Sequence, residues 1–402
     1  MTSQPPNIEP APAEPAPVDS APLDSALLDS ALRALADALH GEGPAVELSA
    51  DADGKVVVST VETPGFEDAA VVVRTSGSTG TPKATVLTVE ALAASSMATA
   101  FALKGEGQWL LALPLQYVAG VQVLVRSLFA GTRPWAMDLS DGFTPEAFTA
   151  AAQELTDKIR FTSLVPTQLQ RLLDAPSAET LAVLRRFNGI LLGGGPASPD
   201  LLAAARDAGL RVVTTYGSAE TCGGCVYDGF PLEDVLARVD GDGRILLGGA
   251  TLAAGYLDEP GLTKDAFFEE DGIRWYRTSD LGSIDSTGKL TVLGRADDVI
   301  ITGGVKVSAA HVQAELEKLD GVVAAFVAGV PSQEWGQAVA AYVAVADSSP
   351  AGIQGFTSQR HDALGPLAPK TVLAAGELMM LPNGKPDRLS MTVRLEALHQ
   401  GK

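Results

Sequence analysis

The spacing of apolar positions changes several times along the chain, and each change marks an element. Leu27, Leu28, Leu32, Leu35 and Leu39 recur at helical spacing behind Asp24, a good helix N-cap, and Gly41 supplies the stop. Short β-branched or leucine-rich runs then alternate with amphipathic segments. They predict strands at 69–73, 109–113, 160–165, 190–192 and 211–215, with helices at 89–103 and 119–130, the second ended by Gly131. This alternation is the pattern of βα units around a sheet. The expected fold class is therefore α/β, with a doubly wound, mostly parallel sheet.

After Asp228 the period shortens to hairpins. Residues 238–239 and 244–247 flank an Asp-Gly-Asp-Gly turn, and 275–284 and 290–293 flank Ser-Thr-Gly-Lys, which implies a small β module. A composition break at Gly294-Arg295-Ala296-Asp297-Asp298 precedes an α+β stretch of ordinary domain size. Residues 1–22 are Pro, Ala and acidic residues that cannot offset the entropy of ordering, and read as a disordered tail. The expected organisation is this tail, an N-terminal domain at 23–296 and a smaller, mobile C-terminal domain at 297–402. No internal repeat is visible.

Composition narrows the function classes. With 402 residues and 46% hydrophobic positions the chain has material for more than one core. The formal net charge of -20 argues against a nucleic-acid partner, which needs a concentrated basic surface. It does not forbid nucleotides, because a glycine-rich loop and one lysine make a local positive site. Two cysteines, Cys222 and Cys225, cannot build a disulfide framework, and no signal-like or membrane-spanning run is present. A cytoplasmic protein is expected.

Three predicted strands run into unusual turns. The first, Arg74-Thr75-Ser76-Gly77-Ser78-Thr79-Gly80-Thr81-Pro82-Lys83, is dense in hydroxyls and glycines and closes on a lysine. Glycines admit backbone N–H groups to phosphate oxygens, hydroxyls add donors and the ammonium adds charge, so it reads as a phosphate cradle. It is not a Walker A loop, since Pro82 precedes Lys83 and no Ser or Thr follows. The others are Gly193-Gly194-Gly195-Pro196 and Tyr216-Gly217-Ser218-Ala219-Glu220-Thr221. In an open α/β sheet ligands gather beyond the carboxyl ends of the strands, so the three turns should converge on one crevice.

These motifs, with Tyr276-Arg277-Thr278-Ser279-Asp280, the 294–298 break and Leu381-Pro382-Asn383-Gly384-Lys385-Pro386-Asp387-Arg388, resemble in order and identity those of the adenylate-forming superfamily of acyl-CoA synthetases, luciferases and nonribosomal adenylation domains. The resemblance runs from about residue 70 to 390 and implies ATP-dependent, AMP-forming activation of a carboxylate, with ATP and coenzyme A as substrates and Mg2+ as cofactor. It places Thr75, Ser76, Gly77, Ser78, Thr79, Gly80, Gly194, Gly195, Pro196, Tyr216, Gly217, Thr221, Asp280 and Arg295 at ATP/AMP, with Lys83, Glu220 and Lys385 catalytic and Glu220 holding the metal. The side chains suit these roles: Tyr216 offers a flat face to a base, Glu220 a hard oxygen to Mg2+, and Asp280 an acceptor to ribose hydroxyls. Taken singly, Tyr216 reads equally as core and Glu220 as a helix-start charge. By the same resemblance Asp297 is the hinge of a rotating C-terminal domain, and Gly303-Gly304 borders the coenzyme A tunnel, a plain turn being the alternative.

Within the superfamily, 113–127 and 221–229 are similar to the short, actinobacterial-type o-succinylbenzoate–CoA ligases of menaquinone biosynthesis. This puts Tyr117, Gly120, Arg126, Gly223 and Gly224 at the acyl group: the glycines leave room for an aromatic ketoacid, and the guanidinium offers bidentate pairing to a carboxylate. An exposed helix cation is the alternative for Arg126. Gln116 and Tyr117 replace histidines common in relatives, and the first helix lies unusually close to the phosphate loop, as if an N-terminal subdomain were reduced. Cys222-x-x-Cys225 lacks the further ligands of a zinc site and reads as pocket lining. His40, His311, His361 and His399 fall in no motif, and Trp335-Gly336-Gln337 reads as a structural turn. Small-molecule substrates are the expected partners, without nucleic acid or membrane insertion, and a homodimer is left open. The competing readings are an adenylation enzyme for another aryl acid or for a carrier protein, and a non-catalytic nucleotide sensor. The sensor reading requires erosion at Lys83, Glu220 or Lys385, all of which are intact.

Overall fold

The computed structural model describes residues 25–51, 55–76, 82–140, 142–347, 364–381 and 386–401. The tail, Asp24, the loop tip from Gly77 to Thr81 and Lys385 lie outside the described residues.

Helix α1 (Ser25–Leu39) buries Leu28, Ala31, Leu35 and Ala38, one stripe at helical spacing. It packs beside a five-stranded sheet of β1 (Ala45–Ala50), β2 (Val56–Val61), β3 (Ala69–Ser76), β4 (Pro82–Thr88) and the two-residue β14 (Gly255–Tyr256), ordered β14-β4-β3-β1-β2. Here the structure departs from a simple βα reading. The phosphate loop links two antiparallel strands, with Thr75 opposite Lys83 and Ser76 opposite Pro82, rather than a strand and a helix. β4 has a Pro and a Lys at its start and no clean alternation, which is why the pattern concealed it.

The second sheet has seven strands: β5 (Gln108–Leu111), β6 (Trp135–Ala136), β7 (Arg160–Leu164), β8 (Gly189–Leu192), β9 (Val212–Ser218), β10 (Gly223–Tyr227) and β11 (Phe230–Pro231), in the order β11-β10-β9-β8-β7-β5-β6. β6 to β9 are parallel in the ladder and β10 and β11 antiparallel. Side chains alternate between two cores. Trp109, Leu111, Phe161 and Leu191 face α2 (Val89–Leu103) and α3 (Val118–Phe129), while Leu110, Leu164, Ile190 and Leu192 face α4 (Pro145–Gln153), α5 (Pro166–Leu173), α6 (Ala178–Arg185) and α7 (Pro199–Asp207). Burial on both faces is what makes parallel strands continuous apolar runs, and it gives the doubly wound arrangement.

A third sheet holds β12 (Val235–Val239), β13 (Arg244–Gly249), β15 (Phe267–Glu270), β16 (Ile273–Ile284) and β17 (Leu290–Arg295), with α8 (Pro260–Ala266) between β14 and β15. Beyond residue 298 come β18 (Val299–Thr302), β19 (Val305–Ser308), β20 (Val322–Ser332), β21 (Gly336–Val345) and β22 (Thr371–Ala375), all in a fourth sheet. The fourth sheet has its own cores: α9 (Ala309–Leu316) puts Val312 and Leu316 on Val327 and Ala341, and α10 (Arg388–Gln400) puts Met391 and Leu395 on Phe326 and Tyr342. No described helix is long and apolar enough to cross a membrane.

Candidate active site

Parallel pairing of β8 with β9 brings their carboxyl ends side by side. A Cβ on Gly193 would lie 2.3 Å from Thr215 Oγ1, so the loop after β8 is seated directly on β9. Gly194 has φ +82°, and Gly195 faces open space, leaving its backbone open to a ligand; Pro196 is exposed beside it. β9 then reverses into β10 through a single 3-10 turn, Ala219–Thr221. Thr221 fastens that reversal: its hydroxyl accepts from Ser218 N at 2.9 Å and donates to the Gly223 carbonyl at 2.7 Å. A Cβ on Gly217 would sit 2.1 Å from the same carbonyl, so no larger residue fits there. Cys222 (φ +52°) and Gly223 (φ +90°) complete the reversal in the left-handed region.

This reversal carries Glu220 inward, to 8% exposure, where its Oε1 accepts from the Tyr256 hydroxyl at 2.8 Å. The Lys83 ammonium lies 5.3 Å from the centroid of the same tyrosine ring. Tyr216 donates to Asp280 Oδ2 at 2.7 Å, and register on β16 and β17 sets Asp280 opposite Arg295. Burial, then these carboxylates, pushes the Tyr216, Tyr256 and Tyr276 phenols well above their ordinary range, so all three remain protonated donors. Thr75 and Lys83 of the first sheet, Gly195, Tyr216 and Glu220 at the end of the second, and Asp280 and Arg295 of the third are thus brought together. Tyr256 and Tyr276 belong to the same cluster. Neither is given a role by the sequence: a two-residue strand leaves Tyr256 no periodicity, and Tyr276 enters only as the first position of the Tyr276–Asp280 motif, whose assigned residue is Asp280.

The residues expected at the acyl group are less uniform. Tyr117 precedes α3 as its N-cap, with its phenol raised by burial. A Cβ on Gly120 would meet the Pro114 carbonyl at 2.3 Å, and one on Gly224 the Thr215 Cβ at 2.9 Å; these glycines serve close backbone packing. A Cβ on Gly223 would instead meet Gln122 and Val118 at 3.6 and 3.9 Å, ordinary contact distances, so this glycine faces α3. Gln122 Nε2 donates to the Cys222 carbonyl at 2.6 Å, and Ser95 Oγ donates to the same oxygen at 3.2 Å. Arg126 sits one helical turn further along α3, buried, with its guanidinium 5.2 Å from the centroid of Trp109 and beside a small cavity also lined by Gly105, Glu106, Phe129 and Phe161, toward the amino ends of β5 and β7 rather than the carboxyl ends where Glu220 stands. It is not the exposed helix cation weighed as an alternative. Cys222 and Cys225 are free, buried thiols, and the described residues contain no cluster of three His, Cys, Asp or Glu suited to a metal.

Gly303 (φ +55°) and Gly304 (φ +81°) form the two-residue turn between β18 and β19, a position that requires left-handed backbone, and Trp335 packs 2.7 Å from where a Gly303 Cβ would stand. Asp297 falls in the 3-10 turn at Ala296–Asp298, and the neighbouring Asp298 pairs with Arg388. A bridge between Met380 and Pro386 closes the base of the loop that bears Lys385.

A single buried carboxylate beside a lysine and a phosphate-type loop is the donor set of a nucleotide-bound magnesium, which takes one or two carboxylates and completes its shell with phosphates and water. Glu220 fits that requirement. Fold and site together define a nucleotide-binding α/β enzyme, and the chain belongs to the AMP-binding enzyme family, which residues 13–251 match. Over 286 residues it is 46% identical to a probable 2-succinylbenzoate–CoA ligase of Mycobacterium tuberculosis, covering 71% of this chain and 73% of that one. Among solved structures, it is similar to the o-succinylbenzoate CoA synthetase of Bacillus subtilis in complex with its acyl-adenylate intermediate, with TM-score 0.67, 25% identity, 83% of this chain and 70% of that one. ATP-bound MatB of Rhodopseudomonas palustris superposes with TM-score 0.69 at 26% identity, over 85% of this chain and 70% of that chain.

Proposed function

We propose that this chain is an acid–thiol ligase that converts ATP, o-succinylbenzoate and coenzyme A into o-succinylbenzoyl-CoA, AMP and diphosphate through an acyl-adenylate, a cytoplasmic step of menaquinone biosynthesis. The observation that carries the reading is the meeting of Lys83, Glu220, Tyr216 and Asp280 at one end of the parallel sheet, in a chain 46% identical over 286 residues to a probable 2-succinylbenzoate–CoA ligase.

In this reading the Gly194–Pro196 turn and the Tyr216 ring receive the base, and Asp280, with Arg295 opposite, receives the ribose. Lys83 and the 75–80 loop hold the phosphates, and Glu220 holds Mg2+, which supplies charge neutralisation at the phosphates when bound. The substrate carboxylate attacks the α-phosphorus in line, the bond to pyrophosphate breaks, and Lys385 offsets the charge that develops on the α-phosphate oxygens. The C-terminal unit then turns about Asp297, so that Gly303 and Gly304 border the thiol, which displaces AMP from the acyl carbon. Tyr117 and Gly223 border the aromatic ring, and Gly120 and Gly224 let the backbone behind them pack closely.

The test is mass spectrometry of purified protein with Mg-ATP and o-succinylbenzoate, with and without coenzyme A, beside Lys385→Ala. The expected outcome is a CoA thioester from wild type and a loss of about a hundred- to thousandfold in adenylate formation in the variant. Adenylate without thioester would redirect the acyl group to a carrier protein, and absence of both products would reject the substrate.

A further inference from the structure

The segment 253–257 touches both halves of the phosphate side. Ala253 N donates to the Glu220 carbonyl at 2.9 Å, and Leu257 N donates to the Ala84 carbonyl at 2.8 Å. Between these two fastenings, Tyr256 lies opposite Thr85 on β4, one residue pair from Lys83 on the same face of that strand. Its own backbone is fixed by donation from Tyr256 N to Thr263 Oγ1 at 2.9 Å, and a Cβ on Gly255 would lie 2.6 Å from Thr263 Cγ2. Its ring meets Phe267 at 5.8 Å between centroids. The side chain is therefore held from three sides, with the hydroxyl on Glu220 and the ring face under Lys83.

We infer that Tyr256 is a positioning residue for adenylation, its hydroxyl orienting the Glu220 carboxylate and its ring seating the Lys83 ammonium, so that the metal-side and phosphate-side groups share one anchor. A buried carboxylate without a donor loses both orientation and stability, and Tyr256 supplies a neutral donor that leaves the charge of Glu220 intact for a cation. The two functions separate chemically. Phenylalanine keeps the ring and removes the hydroxyl, whereas leucine removes both.

The inference rests on the adenylation half of the proposed function. It is tested on the full chain with Tyr256→Phe, Tyr256→Leu, Glu220→Gln and the double variant Tyr256→Phe/Glu220→Gln, by rates of adenylate formation, thermal midpoints, and calorimetric binding of ATP in EDTA. Tyr256→Phe is expected to slow adenylation about ten- to hundredfold with the acid KM nearly unchanged and the thermal midpoint lowered by a few degrees, since a hydrogen bond to a buried charged group is lost. Its ATP affinity in EDTA should match wild type, while Tyr256→Leu weakens it several-fold. In the double variant the Phe change should add nothing to Glu220→Gln, the mark of two residues acting as one unit. A wild-type rate in Tyr256→Phe, fully multiplicative losses, or equal ATP affinity in the Phe and Leu variants would each overturn the assignment. If wild type makes no adenylate from o-succinylbenzoate, the substrate reading fails, and the calorimetric contrast between Phe and Leu still decides for Tyr256.

Discussion

The cluster around Lys83 and Glu220 and the α2–α3 contact beside it are built on different principles. On the phosphate side each charged group is met: Glu220 by Tyr256, Asp280 by Tyr216, and Lys83 by a ring face. Between α2 and α3, by contrast, the buried cation Arg126 has no hydrogen-bond partner on its Nε among the described residues, and Gln122 Oε1 and Ser96 Oγ have none either; around Glu220 it is neutral hydroxyls, those of Thr85 and Ser218, that are left so. Preorganised groups cost nothing to arrange when charge develops, which suits the common nucleotide chemistry. Unmet buried groups cost stability, and a wall that carries them gains by receiving a polar ligand. In the proposed reading, catalysis is invested in the first region and substrate choice in the second.

The sharpest way to break the comparison is on the phosphate side. Tyr216→Phe leaves the ring in place and strips the donor from Asp280, which sits across from Arg295. Loss of a hydrogen bond to a half-buried carboxylate is worth about 1.5–3 kcal/mol, so ATP KM should rise roughly ten- to hundredfold. Steady-state kinetics at saturating acid measures it. An unchanged ATP KM would mean that the tyrosine–carboxylate pair belongs to the fold alone.

Much of this region could be read before any coordinates. The parallel strands announced themselves as doubly buried apolar runs, and the helix expected at 89–103 has those limits in the structure, where Thr88 caps it and Lys104-Gly105 turns it off. What escaped was nonlocal. β4 pairs antiparallel with β3, and Tyr256 reaches Lys83 and Glu220 only because β14 joins the far edge of that sheet. Pairings between residues far apart in the chain leave no periodic signal. Arg126 was legible as a candidate carboxylate partner but not as a buried residue, since its neighbours Val125 and Ser127 give no hint of the α2–α3 contact that covers it.

Arg126→Met sharpens the acyl half of the contrast. Burial depresses the guanidinium's tendency to carry its charge, and the nearby Tyr227 and Cys222 offset this only in part. Replacing an unmatched buried cation by an apolar side chain of similar length should leave stability equal or raise it by about 1 kcal/mol, read from the urea midpoint. If the cavity beside Arg126 receives a second carboxylate of the acid, the acid KM should rise by roughly tenfold or more with ATP KM unchanged. Unchanged acid KM with higher stability would place Arg126 outside substrate recognition.

The smallest effect concerns the two thiols behind the Glu220 turn. Burial pushes Cys225 up to about 12 and Cys222 higher still, with Cys225 raising Cys222 further and Arg126 opposing it. An unfolded thiol titrates near 8.5. The native state therefore holds its protons longer than the unfolded state, and the thiol contribution to stability is full below about pH 8.5 and is lost as pH rises toward about 12. Because the thiolate is the nucleophile, iodoacetamide at pH 8 should leave both cysteines unmodified in the folded protein and label both in urea, as counted by intact mass. Rapid labelling of the native protein would show that the turn carrying Glu220 opens, and that the phosphate side is less fixed than its hydrogen bonds imply.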